Sequence, residues 1–241
     1  MAAGAANVNR ISPSYAELVR RTAEACRVAT EAAAAAAEGI ATGSSSLLNG
    51  IQQREKELDQ IDMEIDAGVT TAITRVSDVQ ARELLACMKI MIGVERIGDL
   101  LLSFAASAQA VSGHLDPDDT RDLTRMATIL EKMLGDIATA FSGRDVKKAI
   151  EVLRADAEMD RLRNLIFLRH IENPENVPRN KSLPVILMTQ ALERAGDHAK
   201  NLAEEICHLV SGRTLRHVLL GYDKPLEQMF IQWLRTREER A

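Results

Sequence analysis

Apolar residues in this chain recur at intervals of three and four, not two. Ile90, Val94, Ile97, Leu101 and Phe104 form one stripe, and Met188, Ala191, Ala195, Leu202, Ile206 and Leu209 form another. Two more stripes run Ile51, Leu58, Ile61, Ile65 and Val152, Met159, Leu162, Ile166. That period belongs to amphipathic helices, not strands. Turn chemistry cuts the pattern into six of them. "SPSY" at 12–15 predicts a start, with Ser12 as N-cap and Pro13 in the first turn. The first helix ends at "ATGSSS", around Gly43, and the second runs from about 46 to 66, with Gly68 as a turn. The third runs from 77 to 112. Asp116-Pro117-Asp118-Asp119 opens the fourth, with acids at the positive end of its dipole, and it reaches Phe141. "SGRD" leads into the fifth, 145–171; a loop with three prolines precedes the sixth, 183–210.

The order is therefore three helices, a break, and three helices, and the halves resemble each other. Glu95-Arg96-Ile97-Gly98-Asp99 returns 98 positions later as Glu193-Arg194-Ala195-Gly196-Asp197. The second and fifth helices align at an offset of 101, which pairs Ile51 with Val152, Leu58 with Met159, Ile61 with Leu162 and Ile65 with Ile166. An internal duplication of about 100 residues predicts an all-α fold of two tandem three-helix bundles, 12–113 and 116–212. Residues 213–241 form a C-terminal extension outside the repeat, where Met229, Phe230, Trp233 and Leu234 give an apolar face suited to docking on the bundle or on a second subunit.

Composition agrees with this reading. Of 241 residues, 46% are hydrophobic and 27% charged, enough for a core, while only 3% are aromatic. The apolar share is mostly Ala, Leu, Ile, Val and Met, which favours helix over strand. A net charge of −5 disfavours direct nucleic-acid binding. The run Ala32 to Ala37 is bracketed by Glu31 and Glu38 and reads as a soluble helix, and no apolar run approaches membrane-spanning length. No positively charged leader with an apolar segment opens the chain, so a membrane role is expected only through partners. Cys26, Cys87 and Cys207 match no zinc spacing and read as buried thiols of a reducing cytoplasm.

The candidate chemistry lies in four acidic pairs at a spacing of four: Glu55/Asp59, Glu95/Asp99, Asp156/Asp160 and Glu193/Asp197. That spacing puts each pair on one helical face. Glu95/Asp99 and Glu193/Asp197 lie nearly opposite their apolar stripes, and the other two pairs about a quarter turn away. Each half thus offers four carboxylates on neighbouring helices, a set suited to hard or borderline cations. The competing reading is ordinary solvated acids paired with arginines.

Ala191 to Gly212, "ALERAGDHAKNLAEEICHLVSG", closely resembles the closing helix of the PhoU family, through Glu193, Arg194, Asp197, His198, Asn201, Ala203, Glu204, Glu205 and Gly212. Glu95 to Asp99 is similar to that family's internal repeat, and Ala81, Arg82 and Leu84 in "DVQARELL" are similar to a further family segment. The resemblance spans about residues 14 to 212. It implies two side-by-side bundles and, in some members, multinuclear iron or another metal (Mn, Mg or Zn) on the acidic pairs. It implies a regulator, not an enzyme: a homodimeric cytoplasmic adaptor between the ATP-binding subunit of a high-affinity phosphate ABC transporter and a sensor histidine kinase, repressing the phosphate-starvation response. Ser103 and Ala106 stand where the family usually has Asn and Glu, which predicts a weaker metal site in the first half.

Four rivals remain at this point, one of them a PhoU-like scaffold that has lost metal binding and only docks partners. A ferritin-like di-iron enzyme needs two inward Glu-x-x-His motifs, and only Glu205 to His208 matches. A phosphotransfer bundle with His198 as acceptor has Asp197 beside it to repel the phosphoryl group. A PhoU-like regulator of a different transporter shares every feature above.

Overall fold

The computed structural model describes residues 13–111, 115–172 and 179–212. Six helices carry the fold: α1 Tyr15–Thr42, α2 Ser45–Ala72, α3 Asp78–Ala110, α4 Pro117–Gly143, α5 Val146–Phe167 and α6 Arg179–Ser211. No strand occurs among the described residues. A short 3-10 turn, Ile73–Arg75, follows α2, and a π-helical turn, Leu168–Glu172, follows α5.

Side-chain caps set most of the starts. Ser14 accepts from the Glu17 amide at 3.2 Å and caps α1, so the cap lies two residues beyond Ser12, which is outside the described residues. Ser77 and Gln80 form a reciprocal capping box on α3. Asp116 caps α4 with Pro117 in its first turn, and Asp145 caps α5 through the amides of Lys147 and Lys148. Gly43 closes α1 in the left-handed region at φ 68°.

Gly68 is not the turn its residue type predicts. It lies inside α2, where a Cβ would meet Leu18 Cδ2 at 2.4 Å and Pro13 Cγ at 2.8 Å. The glycine serves close approach to the start of α1, and the helix continues one turn beyond it. α6 likewise starts at Arg179, earlier than 183, and takes Pro184 within its first two turns. The C-terminal extension with its Met229, Phe230, Trp233 and Leu234 face lies outside the described residues.

α1, α2 and α3 pack as one bundle and α4, α5 and α6 as another. The bundles join through α1 on α4 and α3 on α6, so those four helices form the centre and α2 and α5 flank it. α1 touches α2, α3 and α4, which explains its alanine face: Ala25, Ala29, Ala32, Ala33 and Ala36 are all buried. α3 and α6 run antiparallel, because Gly93 faces Leu202 while Lys89, earlier on α3, pairs with Glu205, later on α6, at 2.9 Å. One continuous apolar core spans both bundles.

Candidate functional site

The repeated pentapeptide divides its work by position. Ile97 and Ala195 are fully buried in the core. The glycines mark where each motif helix meets its neighbour: a Cβ on Gly98 would meet Leu58 of α2 at 2.8 Å, and one on Gly196 would meet Met159 of α5 at 3.3 Å. Glycine lets the pair of helices close up. The flanking Glu and Asp then stand beside the acids of α2 and α5, while Arg96 and Arg194 point to solvent.

In the first repeat this brings together Glu55 and Asp59 of α2 with Glu95 and Asp99 of α3, joined by Asp62. The Glu55 carboxyl is pushed up by burial, then by Asp59 and Asp99. Glu95 is pushed up by burial, then by Asp99, Asp62 and Asp59, against the pull of Arg96. Burial raises Asp62 too, followed by Asp66 and Asp59. Such coupling places the carboxylates close together on one half-exposed face, with Asp59 and Asp99 exposed and Glu55, Asp62 and Glu95 half-buried. None of Glu55, Asp59, Asp62, Glu95 and Asp99 forms an ion pair among the described residues. Asp62 is missing from the sequence-derived set; its spacing of three from Asp59 places it on the same face, and that was the available signal.

The second repeat assembles Asp156 and Asp160 of α5 with Glu193 and Asp197 of α6, in a different charge environment. Asp156 is buried, at 8% exposure, not outward-facing like its partners. The reason is Lys200, whose ammonium covers it in a close ion pair. Arg163 stands 3.6 Å from Asp160 and 3.8 Å from Glu193. Burial still raises Glu193, then Asp197, with Arg163 pulling the other way. Asp197 is raised by burial and Asp156, with Lys200 opposing. Neither basic residue is in the sequence-derived set; Arg163 lies three residues from Asp160 and Lys200 three from Asp197, but their partners Glu193 and Asp156 are on the neighbouring helix.

A metal fits these faces incompletely. Among the described residues no group of three His, Cys, Asp or Glu side chains is arranged to hold one ion. The first repeat has the charge and donor type for a hard cation, and its five acids form no ion pair among the described residues, though Lys56 and Arg96 draw on Glu55 and Glu95; the second has its acids engaged by Lys200 and Arg163. His198 sits at the α3–α6 seam, in a groove of about 480 Å³ also lined by Lys89, Arg96, Asn201 and Glu205. Burial, then Arg96 and Arg194, push its pKa down. Glu205 and His208, the lone Glu-x-x-His match, are 3.9 Å apart at the surface of that groove.

The other reactive residue types are enclosed. Cys26, Cys87 and Cys207 are buried free thiols, and burial pushes Cys26 and Cys207 up to about 12. His170 bridges Ser182 Oγ at 3.1 Å and Asp119 at 3.0 Å, all three buried. Arg169 pairs with the same Asp119 and donates to Asp122 at 2.6 Å. Against the upward push of burial, Arg121 and Arg169 hold Asp122 below the usual carboxylate range. This network pins the π-helical turn and the first turns of α6 to the start of α4.

A duplicated three-helix bundle with acidic pairs at matched places on neighbouring helices defines a class of helical repeat protein. The PhoU domain matches twice, over residues 22–108 and 123–206. The chain belongs to the PhoU family. A protein of Caulobacter vibrioides (strain NA1000 / CB15N), a "phosphate-specific transport system accessory protein PhoU homolog", is 30% identical over 167 residues, 67% of this chain and 72% of that protein. A homologue of the same name in Pseudomonas aeruginosa is 29% identical over 178 residues, 70% of this chain and 72% of that protein. The crystal structure of PhoU from P. aeruginosa superposes with a TM-score of 0.75 at 23% identity, covering 83% of this chain and 98% of that one. The phosphate transport system regulatory protein PhoU from Streptococcus pneumoniae gives the same TM-score at 19% identity, over 83% and 96%. These two establish the fold.

Proposed function

We propose that this chain is an accessory protein of a phosphate-specific transport system and a negative regulator of phosphate uptake and the phosphate-starvation response. It acts as a cytoplasmic adaptor, probing the ATP-binding subunit of the transporter and a sensor histidine kinase, and works as a homodimer without catalysis of its own. The observation that carries this reading is the double PhoU match falling on α1–α3 and α4–α6. No helix among the described residues is long and apolar enough to cross a membrane. Except for the buried Asp156, the paired acids are exposed or half-buried, unlike the inward ligands of a di-iron oxidase.

A cation on the first repeat is part of the proposal. Glu55, Asp59, Glu95 and Asp99, with Asp62, would hold it, and it would supply charge neutralisation between α2 and α3. Iron, manganese, magnesium and zinc are the candidates, with oxygen donors favouring the harder ions.

The test is alkaline phosphatase activity in a deletion strain grown with abundant phosphate. High activity, returned to low by this gene, supports the repressor. Low activity throughout, in a strain with no second PhoU-like gene, overturns it and leaves a helical protein serving another transport system.

A further inference from the structure

The two repeats carry the same acidic pairs but differ in how far those acids are neutralised. The offset of 101 that aligns Glu55 with Asp156 and Asp59 with Asp160 places Asp62 opposite Arg163. The offset of 98 that aligns the pentapeptides places Leu102 opposite Lys200. Each exchange puts a base into the second cluster where the first has an acid or an aliphatic chain. Both bases point into their cluster. Lys200 pairs with the buried Asp156, and Arg163 lies within 4 Å of both Asp160 and Glu193.

We propose that Arg163 and Lys200 are resident counter-ions that close the second repeat to metal, so that cation binding in this chain is confined to the first repeat. The physical reason is competition. A carboxylate set that already shares an ammonium and a guanidinium has less negative potential to offer, and an incoming divalent ion would be repelled by two fixed positive charges. Lys200 is tethered to α6 and needs no capture from solution. The order is the reverse of the one that Ser103 and Ala106 alone predict, because charge across the helix pair outweighs two neutral positions on one helix. The inference leans on the proposed cation of the first repeat only for its positive half.

The experiment writes the residues of the first repeat into the second. The double substitution Arg163→Asp with Lys200→Leu is compared with wild type, with manganese(II) as probe. The readouts are melting temperature with and without manganese and metal retained after desalting. The expected double variant melts below wild type in chelator, gains more from manganese than wild type does, and retains about one further ion per chain. Asp197→Asn leaves the manganese response of the wild-type chain unchanged. Should the double variant fail to fold, Lys200→Leu alone is expected to show a smaller gain in the same direction. A manganese response no larger than wild type in the folded variant overturns the inference, as does a wild-type response that falls on Asp197→Asn. Silence in wild type beside a responsive double variant upholds it, and refutes instead the cation reading of the first repeat.

Discussion

Gly93 sets the distance between the two bundles, and replacing it with alanine tests the packing directly. A Cβ there would stand 2.6 Å from Leu202 Cδ2, 3.3 Å from Cγ and 3.8 Å from Cδ1. Rotating the leucine moves its methyls but leaves Cγ too close, and Leu202 is itself buried, so α3 and α6 must separate slightly. Overpacking of this kind costs about 1–3 kcal/mol. Against it, alanine improves the interior of a helix by about 1 kcal/mol. The net expectation is a loss of about 1 kcal/mol, a fall of roughly 2–4 °C in a chain of this size. Gly50, also inside a helix, has nothing within 4 Å of its Cβ position. There the propensity term stands alone, and Gly50→Ala should raise stability by about 1 kcal/mol. Urea unfolding of both variants, alone and with Leu202→Ala, completes the test. Removing the leucine should turn Gly93→Ala from harmful to helpful, a coupling of about 1–3 kcal/mol. Equal stabilisation by both glycine substitutions in the Leu202 background would mean that α3 and α6 do not meet here, and the seam as drawn would be wrong.

Three further outcomes follow from the same structure. Asp119→Ala removes the shared acceptor of His170 and Arg169 and should cost about 3 kcal/mol by chemical denaturation; a loss within error would show that the network does not pin α6. Asp62→Asn relieves a crowded carboxylate. Because Glu55, Asp62 and Glu95 have folded pKa values above their unfolded ones, the native state holds their protons more tightly. Their repulsion is therefore absent below the unfolded range of about 4 and grows as pH rises through the folded values. The variant should melt above wild type at neutral pH, with the difference vanishing in acid; a difference independent of pH would contradict the coupling. Finally, all three cysteines should resist an aromatic disulfide reagent in the native protein and react together in denaturant, as burial raises each thiol; fast labelling of any one would mean local opening at that helix.

The helices and their pairing were readable because each apolar stripe is long and buried on a single side, as Ile90 to Phe104 is on α3. The duplication was readable for the same reason, since equivalent core positions recur at a constant offset. Gly68 was misread because a glycine needed for contact and a glycine needed for a turn look alike in one dimension. Only the position of Leu18 and Pro13, some fifty residues earlier, separates them. The acidic pairs were found from their spacing within helices. Asp62, Arg163 and Lys200 share those faces at a spacing of three from Asp59, Asp160 and Asp197, but the pairing of Arg163 with Glu193 and of Lys200 with Asp156 depends on which helix lies alongside.

That difference has a consequence for how the motif can change. In Glu-Arg-x-Gly-Asp the third and fourth positions pack the helices, through Ile97 and Gly98 or Ala195 and Gly196, while the first and last carry charge at the edge of the same helix pair. Because the packing is made by the apolar and glycine positions, charge can be altered at the acidic edge without removing the contacts that position the backbone. The chain already contains the result. Both repeats keep the glycine and the acids, yet the five carboxylates of one form no ion pair among the described residues and the other encloses two bases among four. Exchange of Asp62 and Leu102 for the basic residues of the second repeat should therefore leave the fold intact while changing what the first can attract. Enlarging Gly98 should do the reverse, disturbing the approach of α3 to α2 while every charge remains in place.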